Sequence, residues 1–192
     1  WIDYTPGKQY YKIKVFQDGF YRVSAAVLQQ AGANINAINL SGLQVFHEGQ
    51  EISIHVESTS GTLDYVQFYG KKNRGAYDIN MYNDPEHHFN EKYSLFNDTA
   101  AYFLTWGAVP SSKHFTTIGA NLSNLPQEDE YFMQSKSVVF FDNWNKGLTH
   151  HIQTENLSKS TFEYGEGFGS SSLLSKTASF TTDHPFSSGP DA

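Results

Sequence analysis

The chain contains no cysteine. That absence removes disulfides, thiolate zinc sites and a cysteine nucleophile together. Charge is also scarce: 17% of residues are charged, against ~25% in an average soluble protein. The 20 acidic residues outnumber the 13 basic ones, for a formal net charge of −7. Proteins that coat nucleic acid need clustered Lys and Arg, so that partner class is excluded. No run approaches the ~18 consecutive apolar residues of a membrane-spanning helix. Aromatic residues are abundant instead, with 12 Tyr, 15 Phe and 3 Trp among 192 residues. Such a chain has apolar surface to bury and little self-repulsion, so it folds, as one larger β domain or two small ones. It begins at Trp1 without a Met or a signal-type segment and reads as a mature form or an excised fragment.

Hydrophobic periodicity points to strands. In Tyr10–Phe16, Tyr11, Ile13 and Val15 alternate with Lys12 and Lys14, the period-2 pattern of a half-buried strand. Asp18-Gly19 and then Phe20–Val23 follow, which predicts a hairpin, because Gly accepts positive φ in a tight turn. Ser24, Ala25–Ala31 and Gly32 have the capping hydroxyl, helix formers and terminal glycine of a short helix. A second hairpin is expected, with Leu43, Val45 and His47 in one arm, Ile52, Ile54 and Val56 in the other, and Glu48-Gly49-Gln50 between them.

Asp64–Tyr69, Ala76–Tyr82 and Thr99–Trp106 are further strand candidates, and Phe115–Ile118 resumes the pattern briefly. Asn83–Asn97 has turn chemistry and no clean period and reads as a loop. The polar, Pro-containing stretch 121–130 is the expected linker between an N-terminal β domain (1–120) and a second β segment (131–192). In that second part Tyr131–Phe141, Ser160–Tyr164 and Leu173–Thr182 are expected strands. A loop surrounds Asn143–Gly147, a Gly-rich connection follows at Gly165, Gly167 and Gly169, and the tail from Pro185 is loose. One helix, Ala25–Ala31, against roughly ten strand candidates gives a mainly β fold, an antiparallel β-sandwich or two small β subdomains.

Several segments resemble gingipain-type cysteine peptidases, in the branch that includes the type IX secretion sortase. The run Tyr10–Gly32 (YYKIKVFQDGFYRVSAAVLQQAG) is similar to the opening of that family, and Asp64–Gly75 to its strand–glycine turn. Met81–Trp106 (MYNDPEHHFNEKYSLFNDTAAYFLTW) resembles its long central signature, and Phe162–Gly169 (FEYGEGFG) its Gly-Glu-Gly element. The resemblance implies an exported protein at the cell surface or outer membrane. It also implies a Cys–His dyad in a domain C-terminal to this segment. In gingipains the N-terminal region is a β-rich prodomain that assists folding and blocks the active site. With no Cys here, no catalytic residue carries over, and the chain is expected to act without catalysis, against a downstream peptidase domain or secretion-system proteins.

Other constellations have plainer readings. Glu86-His87-His88, His150-His151 and Asp183-His184 lack the i, i+4 spacing of a helical metal site. Adjacent side chains on an extended segment point to opposite sides; surface histidines are expected, and within the family signature Glu86–Asn90 forms a structured turn. Gly165–Gly169 lacks the Lys and following helix of a phosphate loop, and no Gly-x-Ser-x-Gly elbow occurs. The acidic run Glu128-Asp129-Glu130 is a solvated stretch. No catalytic, cofactor or metal residue is therefore expected. One loop suits a partner or a glycan: Asp142, Asn143, Trp144 and Asn145 combine a flat aromatic ring, on which a sugar's C–H face can dock, with groups that take hydroxyls. A cell-surface adhesion or carbohydrate-binding sandwich is the alternative function.

Overall fold

Alternating apolar residues in the first seventy positions, together with Ala100–Trp106, build two facing sheets. The computed structural model describes residues 1–116, 119, 123, 127, 131–147, 160–171 and 175–181. Its elements are β1 (Tyr11–Val15), β2 (Gly19–Ser24), α1 (Ala25–Gln30), β3 (Leu43–His47), β4 (Gln50–Ile52), β5 (Ile54–Thr59), β6 (Thr62–Gly70), β7 (Ala100–Trp106), β8 (Asn143–Lys146) and β9 (Glu166–Gly169), with short 3-10 turns between them. The fold is mainly β with one short helix. The chain divides into two compact units, Trp1–Arg74 with Phe96–Ile118, and Gly75–Leu95 with Gly119–Ala192. The second takes in residues 75–95, which the chain order places inside the 1–120 region; of the expected linker only positions 123 and 127 are described.

The first unit is an antiparallel sandwich of a four-stranded sheet, β1-β7-β3-β4, and a three-stranded sheet, β2-β6-β5. Val15, Leu43, Val45, Tyr102 and Leu104 from one sheet and Val23, Ile54, Leu63, Val66 and Phe68 from the other form its core. Each such side chain, removed from water, contributes about 1.5–3 kcal/mol. Phe68 and Tyr102 meet with ring centroids 5.1 Å apart. The helix is placed as its capping signals require. Ser24 Oγ accepts the Val27 N–H at 3.3 Å, and Leu28 is the helix's buried residue.

The hairpin expected at Asp18-Gly19 is instead a corner between sheets. β1 pairs with β7, and β2 pairs with β6. In a hairpin the apolar faces of β1 and β2 would lie side by side. Across the sandwich they face each other and leave Val15 at 0% and Val23 at 7% exposure. The corner is held by side chains. The Tyr21 hydroxyl donates to the Gln17 carbonyl at 2.9 Å, and the Asp18 carboxylate accepts the Lys72 N–H at 3.0 Å and pairs with Arg74 at 2.7 Å.

The second hairpin forms at Glu48-Gly49, where φ values of 50° and 78° match a type I′ turn. Its outgoing arm divides after Ile52: β4 stays with β3, while β5 crosses to the other sheet. A further I′-type turn at Ser60-Gly61 (φ 52° and 80°) joins β5 to β6.

In the second unit, Asp78–Met81, inside the expected strand Ala76–Tyr82, forms a 3-10 turn. Its buried Asp78 carboxylate accepts the Leu95 N–H at 2.7 Å and the Ser94 hydroxyl at 3.1 Å, so a buried acid that must find donors elsewhere in the unit overrides the alternating pattern. Tyr131–Phe141 carries no strand, and neither do residues 175–181 of the expected Leu173–Thr182; Ser160–Tyr164 reduces to a single bridge between Tyr82 and Phe162. The expected loop at Asn143–Gly147 and the Gly-rich stretch pair as β8 and β9. There Gly169 packs so closely on the Phe89 ring that a Cβ would lie 2.4 Å from it.

Candidate interaction surface

The outer face of the three-stranded sheet carries the most exposed ordered aromatic pair of the first unit's strands. Side chains alternate across a strand: Tyr21 and Val23 of β2 turn inward, so Phe20 and Arg22 turn outward. Tyr65, Gln67 and Tyr69 of β6 and His55 and Glu57 of β5 share that face. Register aligns them, with Phe20 opposite Tyr69, Arg22 opposite Gln67, and His55 also opposite Gln67.

These side chains hold one another in place. Phe20 and Tyr69 meet edge to face at 5.4 Å, yet remain 70% and 46% exposed. The Arg22 guanidinium lies 4.0 Å above the Tyr65 ring, and its Nε and Nη2 donate to Gln67 Oε1 at 3.2 and 3.0 Å. Cation–π contact and paired hydrogen bonds fix a flexible side chain before any partner arrives. His55 Nε2 lies 3.0 Å from the Glu57 carboxylate. The face is thus aromatic and held in place by its own contacts, the composition of protein contact surfaces where Tyr, Phe and Arg carry the energy. The sequence hid it because Asp64–Tyr69 places aromatic residues on both faces of one strand, which blurs the alternation.

The four residues singled out from the sequence lie in the second unit. Asp142 is tied to Lys176 Nζ at 2.8 and 3.1 Å, and this bond holds its carboxyl below the usual 3.8. Trp144 lies opposite Phe168, is 38% exposed, and meets Phe162 and Phe168 edge to face at 5.8 and 5.0 Å. The Asn145 amide turns inward toward the Gly167 and Ser170 carbonyls, and Asn143 is exposed. Asn143 and the free part of the Trp144 ring face solvent, whereas Asp142 and Asn145 spend their polar groups within the unit.

The same unit holds residues 81–95 and Phe162–Gly169. Tyr82 Oη donates to the Glu166 carbonyl at 2.6 Å, and burial pushes its hydroxyl pKa above 10.0. The Asn90 amide donates to the Phe140 and Phe168 carbonyls at 3.3 and 3.0 Å. The His87 ring meets Tyr164 and the His88 ring meets Tyr82; their buried Nδ1 and Nε2 atoms, respectively, have no hydrogen-bond partner. Among the described residues no three His, Asp or Glu side chains converge on a metal-sized space, and no helix is long and apolar enough to cross a membrane. His150-His151, Asp183-His184 and Glu128–Glu130 lie outside the described residues. No protein-family model, curated protein or solved structure matches this chain.

Proposed function

We propose that this chain is a non-catalytic, prodomain-like β module of an exported gingipain-like peptidase of the type IX secretion sortase branch. It works at the cell surface or outer membrane by packing against a peptidase domain or a secretion partner. The resemblance of Tyr10–Gly32, Met81–Trp106 and Phe162–Gly169 supports the parentage, and the absence of cysteine supports a role without that family's cysteine nucleophile. The observation that carries the mode of action is the Phe20–Tyr69 pair, two large rings left open on a preorganised sheet face. An accessory domain that docks needs such an anchor at low ordering cost.

The test titrates the full chain into the peptidase-type domain encoded by the same reading frame, followed by calorimetry. Saturable binding is expected, weakened at least tenfold in the Phe20→Ala/Tyr69→Ala variant, since buried aromatic anchors are worth about 2 kcal/mol or more each. Absence of binding, or binding indifferent to both rings, overturns the reading.

A further inference from the structure

A sheet edge is a row of unpaired N–H and C=O groups, and proteins blunt such edges with charges, short strands, bulges or covering segments. Three of the four edges in the first unit are blunted. β1 carries the exposed Lys12 and Lys14. β4 is three residues long and centred on Glu51. β5 is covered at its start, where Ile54 N–H donates to the Lys113 carbonyl at 2.9 Å and the Ile54 carbonyl accepts the Phe115 N–H at 2.8 Å. Its other end is interrupted by a register shift at Glu57/Ser58.

The fourth edge is different. β2 runs through six consecutive pairs with β6 with no Pro and no register shift, and its one charge, Arg22, is drawn across the sheet onto Tyr65 and Gln67 of β6. Among the described residues no hydrogen bond reaches the outer side of Gly19–Val23. Alternate residues of an antiparallel edge strand point their backbone groups outward, so β2 offers about three residues' worth of free donors and acceptors.

We propose that β2 is a strand-addition site, which an extended segment of a partner protein joins as a fourth strand of the β2-β6-β5 sheet. This rests on the accessory-module reading above and names how the partner is held. The site's side chains state the partner's chemistry. On the outer face an added strand meets Phe20 and Arg22, and among the described residues Arg22 Nη1 makes no hydrogen bond. An apolar side chain beside Phe20 and a carboxylate beside Arg22 complement them. A partner fits better than a second copy pairing through its own β2, because that strand carries Arg22 and no carboxylate to set beside Arg22.

The experiment uses the full chain labelled with 15N and a capped peptide of Val-Thr-Glu-Thr repeats (the Val/Glu peptide), which as a strand alternates Val and Glu along one face. A Val/Lys peptide and an N-methylated Val/Glu peptide, which cannot complete a ladder, are the controls. The expected result is that the outward-pointing amides of β2 gain at least tenfold protection from hydrogen exchange with the Val/Glu peptide and with neither control. In Arg22→Glu the preference reverses toward the Val/Lys peptide, while the amides of β6 keep their native protection. Protection that appears on β1 or β5, or nowhere, overturns the proposal. So does concentration-dependent protection of β2 without peptide, which assigns the edge to a second copy. If β2 takes the peptide while the encoded peptidase domain fails to bind, strand addition stands and the parentage falls; peptidase binding without β2 protection gives the converse.

Discussion

Removing one oxygen atom from the core should cost the first unit a large part of its stability. Tyr102 is 2% exposed in β7. Its hydroxyl accepts the Lys71 N–H at 2.8 Å and donates to the Lys71 carbonyl at 3.1 Å, satisfying both backbone groups at the end of β6. In Tyr102→Phe the ring keeps its stacking on His47, 4.1 Å away, and on Phe68, so packing is preserved while a backbone donor and acceptor lose their partner. Leaving such groups unsatisfied costs about 1–3 kcal/mol, and ~2 kcal/mol is expected here. For a unit of about a hundred residues each kcal/mol moves Tm by about 4–8 °C, so a fall of roughly 8–16 °C follows. Urea unfolding followed by circular dichroism measures it, with Tyr69→Phe, whose ring is exposed, as the control. A loss below about 0.5 kcal/mol, the range of ordinary surface changes, refutes the assignment of Lys71 to this hydroxyl. Alkaline pH supplies a second readout. Burial raises the Tyr102 pKa above its ordinary 10.0. Its stabilising contribution is therefore complete below pH 10.0 and is lost as pH rises through the folded-state value. The phenylalanine variant lacks that contribution, so the stability gap to the parent should narrow above pH 10.0. The difference between the two proteins cancels the similar titration of Tyr82.

Two further outcomes follow from close contacts in the first unit. A methyl group on Gly42 would lie 2.0 Å from the Gly107 carbonyl oxygen and 2.9 Å from Asn39 Nδ2; Gly42→Ala should cost about 1–3 kcal/mol or more, read by thermal melting against Gly119→Ala, which meets nothing within 4 Å. Asp18 is held below its ordinary 3.8 chiefly by the Lys72 N–H, with help from Arg74. Its contribution is present above pH 3.8 and lost as pH falls through the lower folded value, so Asp18→Asn should be the less stable protein at neutral pH, by less than about 1 kcal/mol. The two unfolding curves should converge below pH 3.8, and a constant gap across that range would exclude the corner clamp.

Local signals in the sequence were enough to place the short helix, because Ser24 and the following Ala/Leu/Gln run act within a single turn. They also placed the turn at Glu48-Gly49, where Gly49 takes up the positive φ, and the strand ending at Trp106. Neighbouring residues alone decide those features. Two faces of one strand are harder to separate when both are apolar, and so Tyr65 and Tyr69 were indistinguishable from core residues until β6 was seen between β2 and β5. The candidate at Asp142–Asn145 was legible as chemistry but not as geometry: nothing near it in the chain shows that Asp142 reaches Lys176 or that Asn145 turns inward.

Alternation and composition by themselves settled that this chain is built of strands, with little charge and no thiol chemistry, since those properties depend on residue identity and period alone. The tertiary structure decided which strands pair. Asp18-Gly19 is a good hairpin turn locally, yet it becomes a corner, because opposing the apolar faces of β1 and β2 across a sandwich buries more surface than setting them side by side. The same pairing left β2 as the unguarded edge and Phe20 and Tyr69 as its open rings, since an edge exists only once every other strand has found its neighbour.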